Sequence, residues 1–212
     1  MLVSASPTVV QTPIVVLISG SGSNMEALIK ASRRSAWRDR FGAEIVSVIS
    51  NRPQAAGLAK AADLGVRTAC LAHQDFDGRE AYDHALQALI ETQLGAASPP
   101  PLLLLAGFMR ILTPGFVARH SGRMLNIHPS LLPAFPGLNT HQRAIDMGCR
   151  VAGATVHEVN AELDHGRIWA QAVVPILPGD QASHLAARVL SQEHRIYVEA
   201  VEAWLHACGS AA

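Results

Sequence analysis

Asn126-Ile127-His128 ends a short apolar run at Pro129, and its two polar residues are one strand period apart, so both side chains point to the same side of a strand end. An amide beside an imidazole suits acyl transfer: the amide N–H stabilises an oxyanion while the imidazole moves a proton. A histidine in such a place can equally satisfy a loop carbonyl, and the residues alone leave both readings of His128 open. Further on, Glu162-Leu163-Asp164-His165-Gly166 puts a carboxylate into a turn. Asp164 is either a plain turn aspartate or, if the turn folds over the strand ends, the group that orients His128 and favours its protonated form.

Ser19-Gly20-Ser21-Gly22-Ser23-Asn24 follows an apolar run and opens a helical one, so its backbone N–H groups form a natural anion cradle with phosphate as the expected occupant. The bland alternative is a tight turn with Ser23 or Asn24 as an ordinary helix cap. Dinucleotide binding is disfavoured, because Met25 stands where a third glycine is needed and Asn51-Arg52 where an acidic residue is needed; nor is there a Gly-Lys-Ser/Thr for a nucleoside triphosphate. No Gly-x-Ser-x-Gly elbow occurs, Ser130 is the one serious serine candidate, and Cys70, Cys149 and Cys208 lie in no activating motif. His128, His141 and His157 lack zinc-ligand spacing, so no metal is expected.

These residues need a scaffold, and the chain reads as five β-then-α units followed by a strand pair and a long helix. Predicted strands are Ile14–Ser19, Glu44–Ser50, Arg67–Leu71, Leu102–Ala106 and Met124–Ile127, with Leu102–Ala106 central; predicted helices are Asn24–Ser32, Ala55–Leu64, Arg79–Leu94 capped by Asp77, Thr113–His120 and Thr140–Met147. Val151–Val159 and Arg167–Ile176 form an antiparallel hairpin, and Leu185, Val189, Ile196, Val201 and Leu205 recur at helical spacing in Ala182–His206. The fold class is therefore α/β, a Rossmann-like three-layer fold whose parallel N-terminal sheet continues into a mixed sheet. Residues 1–13 are expected to be a flexible extension and 14–212 one domain, with a phosphate-binding lobe at about 14–120 and a catalytic lobe at about 121–212. In open α/β sheets ligands bind beyond the carboxyl ends of the strands, which is where the loop after Ile127 begins.

Seventeen Lys+Arg balance seventeen Asp+Glu, so no global field draws the chain to nucleic acid or an anionic surface. Met1–Pro13 has no Lys or Arg, unlike a secretory signal, and the apolar run Leu102–Ala106 is far short of the ~20 residues that span a bilayer. Three widely separated cysteines fit a reducing cytoplasm better than a disulfide framework.

The glycine loop, Ala106-Gly107-Phe108-Met109-Arg110-Ile111-Leu112, Asn126-Ile127-His128-Pro129-Ser130-Leu131-Leu132-Pro133 and Glu162-Leu163-Asp164, in this order and spacing, strongly resemble the phosphoribosylglycinamide formyltransferases, folate-dependent enzymes of purine synthesis. The likeness runs from about Ile14 to Trp204. It implies transfer of a formyl group from 10-formyltetrahydrofolate to the amine of glycinamide ribonucleotide, without a metal. By the same likeness Asn126 would hold the oxyanion, His128 would move the proton and Asp164 would support it. Gly22, Ser23, Asn24 and Glu193 would bind the ribonucleotide; Arg79, Met109, Arg110, Ile111, Leu112, Asn126, Asn160, Ala161, Glu162, Leu163 and Asp164 would bind the folate. The enzyme would be a cytoplasmic monomer or homodimer acting on small molecules, with neither nucleic acid nor membrane as partner. Two departures concern the site: Arg167 follows Gly166 where relatives carry proline, and Leu190 stands where a polar residue often meets the ribonucleotide. The alternatives are a 10-formyltetrahydrofolate hydrolase and a non-catalytic folate or nucleotide binder.

Overall fold

Ile14 to Ile18 are all fully buried, and alternate residues enter two separate cores: Ile14, Val16 and Ile18 face one, Val15 and Leu17 the other. A strand sealed on both faces needs such an unbroken apolar run, and each fully buried aliphatic side chain contributes roughly 1.5–3 kcal/mol. Leu102 to Leu105 repeat the arrangement. The molecule thus has three layers, helix, sheet and helix, as the sequence pattern predicts. The computed structural model describes residues 11–95 and 98–209.

In chain order the elements are β1 (Thr12–Ile18), α1 (Ser23–Arg34), α2 (Trp37–Phe41), β2 (Ala43–Ser50), α3 (Ala56–Asp63), β3 (Arg67–Cys70), a 3₁₀ turn at His73–Asp75, α4 (Arg79–Leu94), β4 (Leu102–Leu105), α5 (Pro114–Arg119), β5 (Met124–His128), α6 (Thr140–Asp146), β6 (Val151–Glu158), β7 (Ile168–Pro175) and α7 (Ala182–Gly209). The sheet order is β3-β2-β1-β4-β5-β6-β7, so the predicted central strand is the middle one of seven. The pairs from β3 through β5 are parallel, while β6 and β7 are antiparallel. Strand order reverses between β1 and β4, which opens a crevice beyond their carboxyl ends. Among the described residues, no helix is long and apolar enough to cross a membrane.

Three local expectations need correction. Of the extension expected at 1–13, residues 1–10 lie outside the described residues, whereas Thr12 and Pro13 already pair with Ala43 and Glu44 in β1. Asp77 does not cap α4; the N-cap is Gly78, whose φ of 97° turns the chain into the helix without any side-chain cap. The short α2 was not predicted: it fixes fully buried Trp37, whose Nε1–H donates to Glu202 Oε1 at 2.8 Å. Thr113 does cap α5, accepting the Phe116 N–H at 3.3 Å.

Candidate active site

The glycine loop lies at the switch point, between the end of β1 and the start of α1. Its decisive residue is Gly22, at φ 71°, where an added Cβ would come within 2.7 Å of the Gly57 Cα on α3. Only glycine fits a left-handed position packed this tightly against backbone. Gly22 is also the N-cap of α1 and supplies no side chain to the first turn, so Ser23 and Asn24 are helical residues, not the caps of the bland reading. The first-turn N–H groups and the positive end of the helix dipole therefore face the crevice. Asn24 Nδ2 donates to Glu193 Oε2 at 2.7 Å, which joins α1 to α7 and brings together the four residues expected around the ribonucleotide. Asn24 Oδ1 is buried without a partner. Burial pushes the Glu193 carboxyl above its ordinary range, and the Asn24 hydrogen bond works against that rise.

The second cluster forms where β5 meets β6. Asn126 pairs with His157 and His128 with Thr155 in antiparallel register. Asp164, held at φ 54° in the turn before β7, comes back over this face: its Oδ2 lies 3.5 Å from His128 Nδ1 and its Oδ1 lies 3.8 Å from His157 Nε2. All three side chains are more than nine-tenths buried. The Gly137 N–H donates to Asp164 Oδ2 at 2.8 Å, tying the turn to the loop after β5. His128 Nε2 donates to the Phe135 carbonyl at 3.0 Å, so the loop-carbonyl partner and the carboxylate partner are both present, one at each ring nitrogen. An imidazole with an oxygen beside each nitrogen is held in one orientation, which suits a group that passes a proton at a defined atom.

His157 was not assigned a role by sequence reasoning. Its Nδ1–H donates to the Glu158 carbonyl at 2.8 Å, which leaves Nε2 as an acceptor for the Asn126 amide at 3.2 Å. Burial lowers its proton affinity, and the Glu158 carbonyl and the Asp164 charge oppose that only in part. A neutral His157 therefore takes one amide N–H of Asn126 and leaves the other to face the site. Ser130, the serine candidate, donates to Ala134 O at 2.7 Å as part of the loop and presents no nucleophile. Thr155 Oγ1 donates to Ser130 O and accepts from Leu132 N, securing the same loop from below.

The expected folate residues lie on three separate segments, of which the turn ending in Asp164 belongs to this cluster. Leu105 pairs with Asn126, so the chain leaving β4 through Met109–Leu112 starts beside the amide. Met109 and Ile111 are exposed, Leu112 is buried, and the Arg110 guanidinium stacks 4.4 Å from the Tyr82 ring centre. Arg79 is the exposed first residue of α4, and Asn160, Ala161, Glu162 and Leu163 are exposed in the turn that ends in Asp164.

The formyl transferase family model matches residues 12–201. Phosphoribosylglycinamide formyltransferase of Escherichia coli (strain K12) is 46% identical over 184 residues, which is 87% of this chain and 82% of that protein. The chain belongs to the formyl transferase family. Among solved structures, phosphoribosylglycinamide formyltransferase from Brucella melitensis is 48% identical with a TM-score of 0.82, the match covering 92% of this chain and 96% of that one. Glycinamide ribonucleotide transformylase 1 from Symbiobacterium toebii is 40% identical with a TM-score of 0.84, covering 93% and 89%.

In this formyltransferase the two departures are structurally mild. Gly166 is the residue the turn cannot change, since a Cβ there would lie 1.7 Å from Glu158 O. Arg167 contributes its carbonyl to the Glu158 N–H at 2.8 Å and lays its guanidinium 4.4 Å from the Trp169 ring centre, so it continues the hairpin. Leu190 is half-buried on α7, one turn before Glu193.

Proposed function

We propose that this formyltransferase moves the formyl group of 10-formyltetrahydrofolate directly to the amine of glycinamide ribonucleotide, a step of purine biosynthesis. The observation that carries this reading is the convergence of Asn126, His128 and Asp164 on one face, with His157 fixing the amide. The amine attacks the formyl carbon, and the Asn126 N–H meets the oxygen as it takes on negative charge. The bond from the formyl carbon to the folate nitrogen then breaks; the amine loses a proton and the departing nitrogen gains one, with His128 as the carrier. Asp164 orients the ring and offsets the charge it bears. Productive binding exchanges the Phe135 carbonyl at His128 Nε2 for substrate.

The phosphate is assigned to Gly22, Ser23 and Asn24, and the unpartnered Asn24 Oδ1 beside Glu193 suits a hydroxyl donor of the ribose. The folate is assigned to Arg79, Met109–Leu112, Asn126 and Asn160–Asp164. No step of this chemistry requires a metal. The balanced charge supports small molecules rather than nucleic acid as partners, and the three widely separated cysteines support a reducing cytoplasm, where the enzyme is assigned as a monomer or homodimer.

Release of tetrahydrofolate with and without glycinamide ribonucleotide tests the reading. Transfer predicts release that depends on the ribonucleotide; release in its absence at the same rate identifies a hydrolase, and none under either condition identifies a binder.

A further inference from the structure

The stretch from Met109 to Leu112, exposed at Met109 and Ile111, is held at both ends by buried polar side chains from other elements. At its start, the Met109 N–H donates to Ser19 Oγ at 2.8 Å, and the same hydroxyl donates to Asn51 Oδ1 at 2.6 Å. The hydroxyl is used in both directions, so its orientation is fixed. At the far end, the Thr113 N–H donates to Asp83 Oδ2 at 2.6 Å. Ser19, Asn51, Asp83 and Thr113 are between 1% and 7% exposed, whereas Met109 is 63% and Ile111 56% exposed. Between the two stakes, Arg110 rests on the Tyr82 ring, one residue before Asp83 on α4.

We propose that Ser19 and Asp83 are positioning residues for the folate co-substrate, which fix the backbone of Met109–Thr113 before the folate arrives. The inference rests on the assignment of the folate to this segment. A ligand recognised through backbone groups binds more tightly to a segment that is already ordered, because ordering is not charged against its affinity. Ser19 follows β1 and begins the proposed phosphate loop, and Asp83 lies one turn after Arg79 on α4, so each stake also ties the folate segment to another part of the proposed binding surface. Removing either acceptor leaves its N–H without that partner, buried at Thr113 and partly buried at Met109, and releases the stretch.

The experiment combines steady-state kinetics with amide hydrogen exchange on S19A, D83A and D83N. S19A and D83A are expected to speed exchange at Met109 and Thr113 respectively and to raise the KM for 10-formyltetrahydrofolate by about 10-fold, with a far smaller change in the KM for glycinamide ribonucleotide. D83N retains an acceptor oxygen and is expected to recover most of the D83A loss, which a loss of charge alone would not allow. If S19A does not fold, the D83A and D83N pair carries the same comparison. Tetrahydrofolate added to the unmodified protein should slow exchange across Met109–Thr113; if it does not, the folate assignment fails and the inference with it. If that protection is present but S19A and D83A leave the folate KM unchanged, or raise both KM values equally, the positioning role alone is overturned.

Discussion

The proposed phosphate cradle and the proposed catalytic cluster are built in opposite ways. The cradle is mainly backbone: a left-handed glycine against Gly57 and an uncapped helix start, contributed by consecutive residues. The cluster is side chains from β5, β6 and a distant turn, with the Asn126 amide nitrogen and the histidine rings aimed by other side chains or carbonyls. A backbone site should depend on conformation and tolerate many side-chain changes. A convergent side-chain site should fail in steps that follow its hydrogen bonds.

The comparison is sharpest at Asn126. Asn126→Ala should lower kcat by about 10²- to 10³-fold, as expected for an oxyanion donor, an effect far larger than the rise in the folate KM from the lost contact. His157→Leu, which leaves the amide present but unaimed, should cost less, on the order of 10-fold in kcat. A His157→Leu loss equal to that of Asn126→Ala would mean that His157 touches the reaction itself.

Gly22→Ala tests the other region. The new Cβ meets Gly57 Cα at 2.7 Å in a left-handed conformation, so the folded state should lose about 1–3 kcal/mol and the KM for the ribonucleotide should rise by roughly 10-fold. Gly20→Ala, where an added Cβ meets nothing within 4 Å, should be nearly silent in both denaturant melting and KM. Equal effects at the two glycines would break the claim that conformation governs this loop.

The contrast also explains what could be read from the chain. The five β-then-α units, the hairpin and the long last helix follow from apolar periodicity, and the cradle follows from glycines next to each other in sequence. Residue types told that Asn126, His128 and Asp164 could act together, and the family resemblance gave them roles. What periodicity could not supply was the contact: Asp164 reaches His128 only because its turn folds back, and His157 faces Asn126 only through the register of β5 and β6. Register depends on pairing between segments, which no local pattern records. The signal for His157 was the strand pattern itself, since it lies on a predicted strand next in line to pair with β5. Helix α2 escaped because five residues are too few for a period; the Trp37 and Phe41 spacing was its only mark. At α4, Asp77 had the right chemistry for a cap, yet a positive-φ glycine next to it set the turn.

A smaller effect comes from buried histidines, His157 of the cluster among them. Burial, with the neighbouring Arg119 charge, lowers the His120 pKa from 6.5 to about 4, and burial lowers those of His141, His157 and His194 as well. A histidine that is harder to protonate in the fold than in the unfolded chain stabilises the fold above pH 6.5, and that contribution is lost as pH falls toward about 4. The denaturation midpoint should therefore decline over this window, and less steeply in His120→Gln. An unchanged slope would remove His120 from the explanation.

The most direct measurement is the single-turnover formyl transfer rate of His128→Ala, taken together with its tetrahydrofolate dissociation constant. The cluster as described predicts a rate about 10²- to 10⁴-fold below that of the unmodified enzyme, with folate binding retained. A rate close to that of the unmodified enzyme, with the folate still bound, would contradict it.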